Sequence, residues 1–298
     1  MKALAFGEVL WDIIEGKEHI GGAPFNCAAH LAQMGAEAAI VSAVGGDGLG
    51  EKALDEVRRL GIQSALIGKK TDHPTGVVMV SLDSHGKPTY DIREGSAWDA
   101  IELDRSQMDA IGSEEWDVLA FGTLAQRTVS NIRELHRVME TAAPKELFFD
   151  VNLRLDYFSP EILRDSFDRT TILKLNDEEV PVVSEMLLGG EYLDRQFCEM
   201  VEDRWDIHTT VLTRGKEGAS VYHGGRFIHV PVVDVQVADT VGAGDSFSAG
   251  FLFGYYHTGD IEKAAGLASQ VSSFVASRSG AIPPYDENIK KILKSISA

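Results

Sequence analysis

Short apolar runs alternate with helical stretches along most of the 298 residues, and this rhythm restricts the fold more than any single residue does. Ala3 to Glu8, Ala38 to Val44, Trp116 to Gly122, Glu146 to Val151, Thr171 to Leu175 and Thr209 to Thr213 read as short buried strands. Pro24 to Met34 and Gly50 to Leu60 read as helices stopped by Gly35 and Gly61; Val129 to Thr141 and Asp177 to Leu188 read as helices too. Such alternation builds a largely parallel sheet with helices on its faces. One stretch breaks the rhythm. Gly76 to Asp83, a turn at Ser84-His85-Gly86-Lys87, and Pro88 to Glu94 predict a hairpin, which with Val9 to Ile20 can form a small separate sheet. An ordinary hairpin at a sheet edge is the alternative.

The length suits one large α/β domain with an appendage. A formal charge of −18 and a pI near 4.9 argue against a nucleic-acid surface, which needs clustered Lys and Arg. An acidic body that binds a polyanion must cover it locally, with backbone amides, a divalent metal and a few placed cations. Acidity by itself serves solubility. Cys27 and Cys198 are too few for a disulfide framework and read as buried thiols of a reducing compartment. Glu8 and Asp12 interrupt the apolar start before a signal-peptide core can form, and no run reaches the length of a membrane span. A cytoplasmic protein is the expectation.

The segment Asp239-Thr240-Val241-Gly242-Ala243-Gly244-Asp245 carries the most chemistry. Its small residues leave backbone N–H groups uncovered. The apolar helix that follows, with Phe247, Phe251, Leu252 and Tyr255 on one face, adds its positive N-terminal end. A phosphoryl group suits such a seat. Asp245 would repel that guest unless it faced a second reactant whose proton it accepts, so the combination points to phosphoryl transfer to a hydroxyl. The plain alternative is a helix cap. Gly45-Gly46-Asp47-Gly48-Leu49-Gly50 lacks the dinucleotide-binding spacing and reads as a turn with Asp47 capping a helix. No P-loop pattern occurs, so phosphate handling falls to Gly242, Ala243 and Gly244.

Asp239-Thr240-x-Gly242-Ala243-Gly244-Asp245 resembles the C-terminal signature of the ribokinase-like (PfkB) carbohydrate kinases. Gly21-Gly22-Ala23-Pro24-x-Asn26-x-Ala28, followed by Gly35 and Gly45, resembles their N-terminal signature at the family's spacing. Asn176-Asp177-Glu178-Glu179 is similar to the family's N-x-x-E, and Thr213-Arg214-Gly215-Lys216-Glu217-Gly218 to its T-x-G-x-x-G. The resemblance covers essentially the whole chain. It implies one ribokinase-like domain over 1–298, a three-layer α/β/α sandwich with a mainly parallel central sheet, and a β lid formed by about 9–22 and 72–98. It places Asp12, from the first strand's end, with Gly22 and Asn26 around the sugar hydroxyls. Thr213, Gly215, Gly218 and Asn176 fall on the ATP side with Gly242 and Gly244. Asn176 and Glu179 would hold Mg²⁺ through water, and Asp239 with Gly280 of the Ser279-Gly280-Ala281 turn would hold a monovalent cation such as K⁺. An N-cap asparagine with an acid three residues on explains Asn176 and Glu179 equally, and both accounts can hold together.

Asp150-Val151-Asn152-Leu153-Arg154 is similar to the D-x-N-x-R of fructokinases and of 2-keto-3-deoxygluconate kinases, in which the arginine reaches the substrate or the transferring phosphate. Asp150 and Asn152 then read as groups linked to the metal through water, and a surface ion pair with Asp156 or Glu161 is the other account of Arg154. The resemblance therefore implies in-line transfer from Mg-ATP to a primary sugar hydroxyl, with Asp245 as base. Thr75-Gly76-Val77 and Ala97-Trp98-Asp99 look most like fructokinases, so D-fructose is the expected acceptor. A 2-keto-3-deoxygluconate kinase or a ribokinase is the alternative; for a sugar acid, Arg93, Arg127 and Arg154 are the available cations. A non-catalytic sugar-binding regulator would have lost the base or the glycine turn, and both are present. The expected partners are a sugar and ATP, without nucleic acid or membrane, and a second copy pairing through Val77, Met79 and Ile92 of the lid.

Overall fold

The computed structural model describes residues 1–82 and 88–297. The chain opens with β1 (Lys2–Phe6), a hairpin of β2 (Leu10–Ile14) and β3 (Lys17–Gly21), helix α1 (Ala23–Met34), β4 (Glu37–Gly45), α2 (Gly48–Arg59) and β5 (Ile67–Lys70). An antiparallel pair, β6 (Gly76–Leu82) and β7 (Pro88–Ile92), precedes α3 (Arg105–Gly112), β8 (Val118–Gly122), α4 (Val129–Ala142), β9 (Glu146–Asp150) and α5 (Pro160–Phe167). Then come β10 (Ile172–Asn176), α6 (Glu179–Val183), α7 (Asp194–Trp205), β11 (Thr209–Thr213), β12 (Ala219–His223), β13 (Arg226–Val230), α8 (Ala243–Thr258), α9 (Ile261–Ala276) and α10 (Glu287–Ser297).

The large sheet has the order β13-β12-β11-β10-β9-β8-β1-β4-β5 and is parallel except where β12 and β13 join. Alternate residues of each strand face opposite helical layers. Ala3 and Ala5 of β1 pack in the core that holds α1, α8 and α9, while Leu4 and Phe6 pack in the core that holds α4 and α7. The expected three layers follow. From β1 the chain moves outward to β4 and β5, then returns to β8 and proceeds the other way. Strand order therefore reverses between β1 and β8, where the C-terminal ends of open parallel sheets leave a ligand crevice.

Local punctuation behaves as its chemistry requires. Gly35 ends α1 in the left-handed region at φ 100°, and the Asp47 side chain caps α2 by accepting the Gly50 amide at 2.8 Å. The helix expected over Asp177 to Leu188 is instead five residues of α6 followed by a wider π-helical turn, Ser184–Leu188. Pro181 removes one N–H near its start, and Gly189 at φ 74° ends it.

The remaining strands form a separate sheet of order β3-β2-β6-β7, with β2 and β6 parallel, so the edge-hairpin alternative fails. The expected turn at Ser84-His85-Gly86-Lys87 lies outside the described residues. Leu10, Val78 and Ile92 bury one face of this sheet against Trp98 and Leu124. Ile92 is thus an interior residue, contrary to the expectation that it is exposed for pairing; Met79 is exposed and Val77 half-buried. No helix among the described residues is long and apolar enough to cross a membrane.

Candidate active site

The turn ahead of α8 is shaped by contacts that exclude side chains. Gly242 has φ 75°, and a Cβ there would stand 2.6 to 2.8 Å from the O, Cα and Cβ of Ala281. The Ala243 amide donates to the Thr240 carbonyl at 3.2 Å, so it closes the turn and is not the free anion donor the sequence suggested. The amides of Gly242, Gly244 and Asp245 have no protein acceptor among the described residues and remain available. Asp239 braces the turn from behind: its carboxylate accepts the Val241 amide at 3.0 Å and the Gly280 amide at 3.2 Å. Asp239 and Gly280 therefore meet, as expected, across a long stretch of chain. The amides already occupy both carboxylate oxygens, which leaves a cation only the remaining lone pairs and nearby carbonyls.

Asp245 stands in the first turn of α8 and receives a hydrogen bond from Asn26 Nδ2 at 2.7 Å. Asn26 reaches it from the first turn of α1, whose entry needs Gly22: φ is 113°, and a Cβ there would lie 2.2 Å from the Glu8 carbonyl oxygen. Burial raises the Asp245 pKa, the Asn26 bond opposes that rise, and the charges of Asp150 and of Lys174 and Arg154 act in opposite directions. Asp12 does not lie at the end of the first strand; it sits on β2 of the small sheet, in register with His19 and Val78. Burial pushes it up to about 6, Arg154 draws it down and Asp245 pushes it up. The group past the first strand is Glu8, which accepts the Ala23 amide at 3.2 Å and is pushed up to about 7 by burial.

Arg154 makes no ion pair with Asp156 or Glu161 among the described residues. Its guanidinium donates to the Leu153 carbonyl at 3.0 Å, and its charge acts on Glu8, Asp12 and Asp245. Arg127, by contrast, is not a cation for a substrate. It is buried, donates to both oxygens of Asp99 at 2.6 and 2.7 Å and to the Arg93 carbonyl at 2.7 Å, and stacks on Trp98 and Tyr157. That assembly fastens the segment following β7 to the main body.

Beneath Gly244 lies a buried ion pair. Lys174 Nζ donates to both oxygens of Asp150 at 2.8 Å, and Ser248 Oγ donates to Asp150 at 3.1 Å. Asp150 is therefore neutralised by a lysine. Glu179 is buried and accepts the Leu153 and Asn176 amides, while Asn176 Oδ1 accepts the amides of Glu178 and Glu179. This is the capping account, realised. No group of three or more His, Cys, Asp or Glu among the described residues could hold a metal by itself. A Mg²⁺ here would be carried by phosphate oxygens and water; both lone pairs of Asn176 Oδ1 are taken by amides, whereas each Glu179 oxygen keeps one that could accept from such a water.

A cavity of about 500 Å³ opens beside the turn. Thr213, Gly215, Lys216 and Gly218 line it together with Val232, Val233, Val235 and Val237, with Ser269, Ser273 and Ala276 of α9, and with Ala243 and Gly244 of the turn. Its size and its apolar walls suit a nucleoside. Arg214, paired with Asp194, anchors the loop that frames it.

Residues 2–288 match the pfkB family carbohydrate kinases. The chain belongs to this family. It is similar to an uncharacterized sugar kinase of Pyrococcus horikoshii, 27% identical over 96% of this chain and 94% of the relative. The crystal structure of that kinase in complex with ATP superposes with a TM-score of 0.84 over 99% of each chain. The fructokinase of Escherichia coli is 25% identical over 88% of this chain and 87% of its own. The 2-dehydro-3-deoxygluconokinase of Thermotoga maritima has the same ribokinase-like fold, at 22% identity and a TM-score of 0.84 over both whole chains. In this PfkB kinase the fold joins Asn26 to Asp245 by a hydrogen bond and sets Asp12 and Arg154 within electrostatic reach of Asp245, while Gly22 shapes the entry to α1 and Gly242 the entry to α8. Glu8, Lys174 and Ser248 were not anticipated from the sequence. The signal for Lys174 was present: a lysine inside the apolar run Ile172 to Leu175, level with an aspartate on the neighbouring strand.

Proposed function

We propose that this carbohydrate kinase transfers the γ-phosphoryl group of ATP to a primary hydroxyl of a monosaccharide, with D-fructose as acceptor and fructose 6-phosphate as product. The observation that carries this is the position of Asp245, held by Asn26 on one oxygen, between the free amides of the anion turn and the Asp12–Arg154 side of the crevice. The acceptor hydroxyl gives its proton to the other oxygen of Asp245 as it attacks the γ-phosphorus in line, and ADP leaves without a phosphoenzyme. The Gly242, Gly244 and Asp245 amides receive the charge on the transferred group. Magnesium bound with the nucleotide supplies neutralisation of phosphate oxygens. Asp12 and Asn26 orient sugar hydroxyls, and the small sheet carrying Asp12 acts as a lid that keeps water from the γ-phosphoryl group.

Neutral fructose fits a pocket in which Glu8, Asp12 and Asp245 gather around Arg154. One observation favours a sugar acid, 2-keto-3-deoxygluconate: Arg154 has no carboxylate partner among the described residues. Ribose is the third acceptor. Coupled ADP release with Mg-ATP against fructose, 2-keto-3-deoxygluconate, ribose, glucose and adenosine distinguishes them. Fructose turning over at the lowest concentration is the expected result; preference for the keto-acid would transfer Arg154 to carboxylate binding, and silence across the panel would favour a non-catalytic sugar-binding protein. The reading includes K⁺ at the Asp239–Gly280 junction, which fails if replacing K⁺ with a large inert cation leaves the rate unchanged. It includes a homodimer through the outer face of the lid, which fails if the protein scatters light as a monomer. Two buried free thiols, Cys27 and Cys198, suit the reducing cytoplasm.

A further inference from the structure

Lys174 is a buried ammonium, 6% exposed as a residue, flanked by the apolar Leu173 and Leu175 in the middle of β10. Two of its three N–H groups go to the two oxygens of Asp150, and the third has no acceptor among the described residues. With two donors turned to the carboxylate, the third points away from it. A Cβ built on Gly244 would find Lys174 Nζ as its nearest neighbour outside its own helix, at 3.8 Å. The ammonium thus lies directly under the anion turn, close enough to reach a guest seated there. Ser248 of α8 stands 3.1 Å from both an Asp150 oxygen and the Gly244 carbonyl, two acceptors that share its one proton. The charge balance gives this cation a task. Asp150, Glu179 and Asp245 all act on Lys174, and a polyphosphate brought among three carboxylates would be repelled without it. The nearby cations are placed elsewhere: Arg154 acts on the acceptor side, and Lys216 is exposed on the rim of the nucleotide cavity.

We propose that Lys174 is a phosphoryl-binding residue, its free N–H donating to the transferred phosphoryl group from beneath Gly244 while Asp150 and Ser248 hold the ammonium in place. Asp150 is then a positioning residue for Lys174 and not a metal group. The proposal rests on the kinase reading above, and the experiment separates the two. Lys174→Met alone strands Asp150 without its cation and can fail to fold, so the informative protein is Lys174→Met/Asp150→Asn, which removes both charges and keeps the Ser248 contact. Calorimetric binding of the non-hydrolysable triphosphate AMP-PNP is compared with that of ADP, in wild type and the double variant. Loss of one charge-assisted hydrogen bond to the terminal phosphate predicts AMP-PNP binding weakened by about ten- to a hundredfold, with ADP affected less. Equal losses for AMP-PNP and ADP, or a double variant that binds both as wild type does, would overturn the role of Lys174 and leave the kinase reading standing. Wild-type protein that binds neither nucleotide would overturn both.

Discussion

Gly242→Ala tests whether the anion turn has the shape described. A side chain at φ 75° occupies the left-handed region, which costs an L-residue about 1–2 kcal/mol. The new methyl would lie 2.6 to 2.8 Å from three atoms of Ala281, well inside contact distance, and overpacking of that kind costs about 1–3 kcal/mol more. If the turn holds its place, the variant loses about 2–5 kcal/mol, a fall in Tm of roughly 3–8 °C for a chain of this size. If the turn moves to relieve the clash, the Gly242 and Gly244 amides leave the phosphoryl seat, and loss of one such donor lowers kcat by about 10²–10³-fold. Thermal unfolding and steady-state kinetics on the same preparation capture either outcome. Gly244→Ala is the control for the fold: its Cβ would meet only Lys174 Nζ at 3.8 Å, an ordinary contact, so Tm should hold while the methyl crowds the seat and depresses turnover. A Gly242→Ala protein with wild-type Tm and wild-type kcat would refute the assigned turn geometry.

Glu8 should make stability depend on pH. An acid whose pKa rises from an ordinary 4.5 to about 7 on folding takes up a proton as the chain folds, so its stabilising effect is complete below pH 4.5 and lost as pH passes 7. At about 1.4 kcal/mol per pH unit the loss comes to about 3–4 kcal/mol. Glu8→Gln should therefore gain Tm over wild type progressively between these limits, and a Tm difference independent of pH would count against it. Asp99→Asn leaves the buried Arg127 short of its counter-charge and should lower stability by about 3–5 kcal/mol in a denaturant titration; a change below 1 kcal/mol would mean that the pair does not fasten the lid base.

Much of the fold is legible in the sequence because the limits of its elements are set locally. Gly35, Gly61 and Asp47 act within one turn of backbone, and the alternating burial of β1 follows from strand geometry. The π-helical turn after α6 has no comparable local mark. In the site, Gly242, Asp245 and Asn26 are legible because each combines an unusual residue type with a helix start. Glu8 and Lys174 are not, since their roles depend on which strands become neighbours: Lys174 acquires meaning only when β10 lies level with β9 and α8 crosses above them. Arg127 misleads for the same reason. Its charge is visible in the sequence, but Asp99, which neutralises it, is brought up only by the fold. The small sheet shows the limit of strand periodicity, which places Ile92 on a face without saying that Trp98 and Leu124 cover it.

The central claim is that Asp245 takes the proton of a sugar hydroxyl in transfer from ATP. Asp245→Asn keeps the size of the side chain and a partner for Asn26 while removing the base, so sugar binding measured by calorimetry should stay within a few-fold of wild type while ADP release coupled to the best acceptor falls by about 10²–10⁴-fold. A folded Asp245→Asn protein that turns over as wild type does would contradict the assignment of Asp245 and the mechanism built on it.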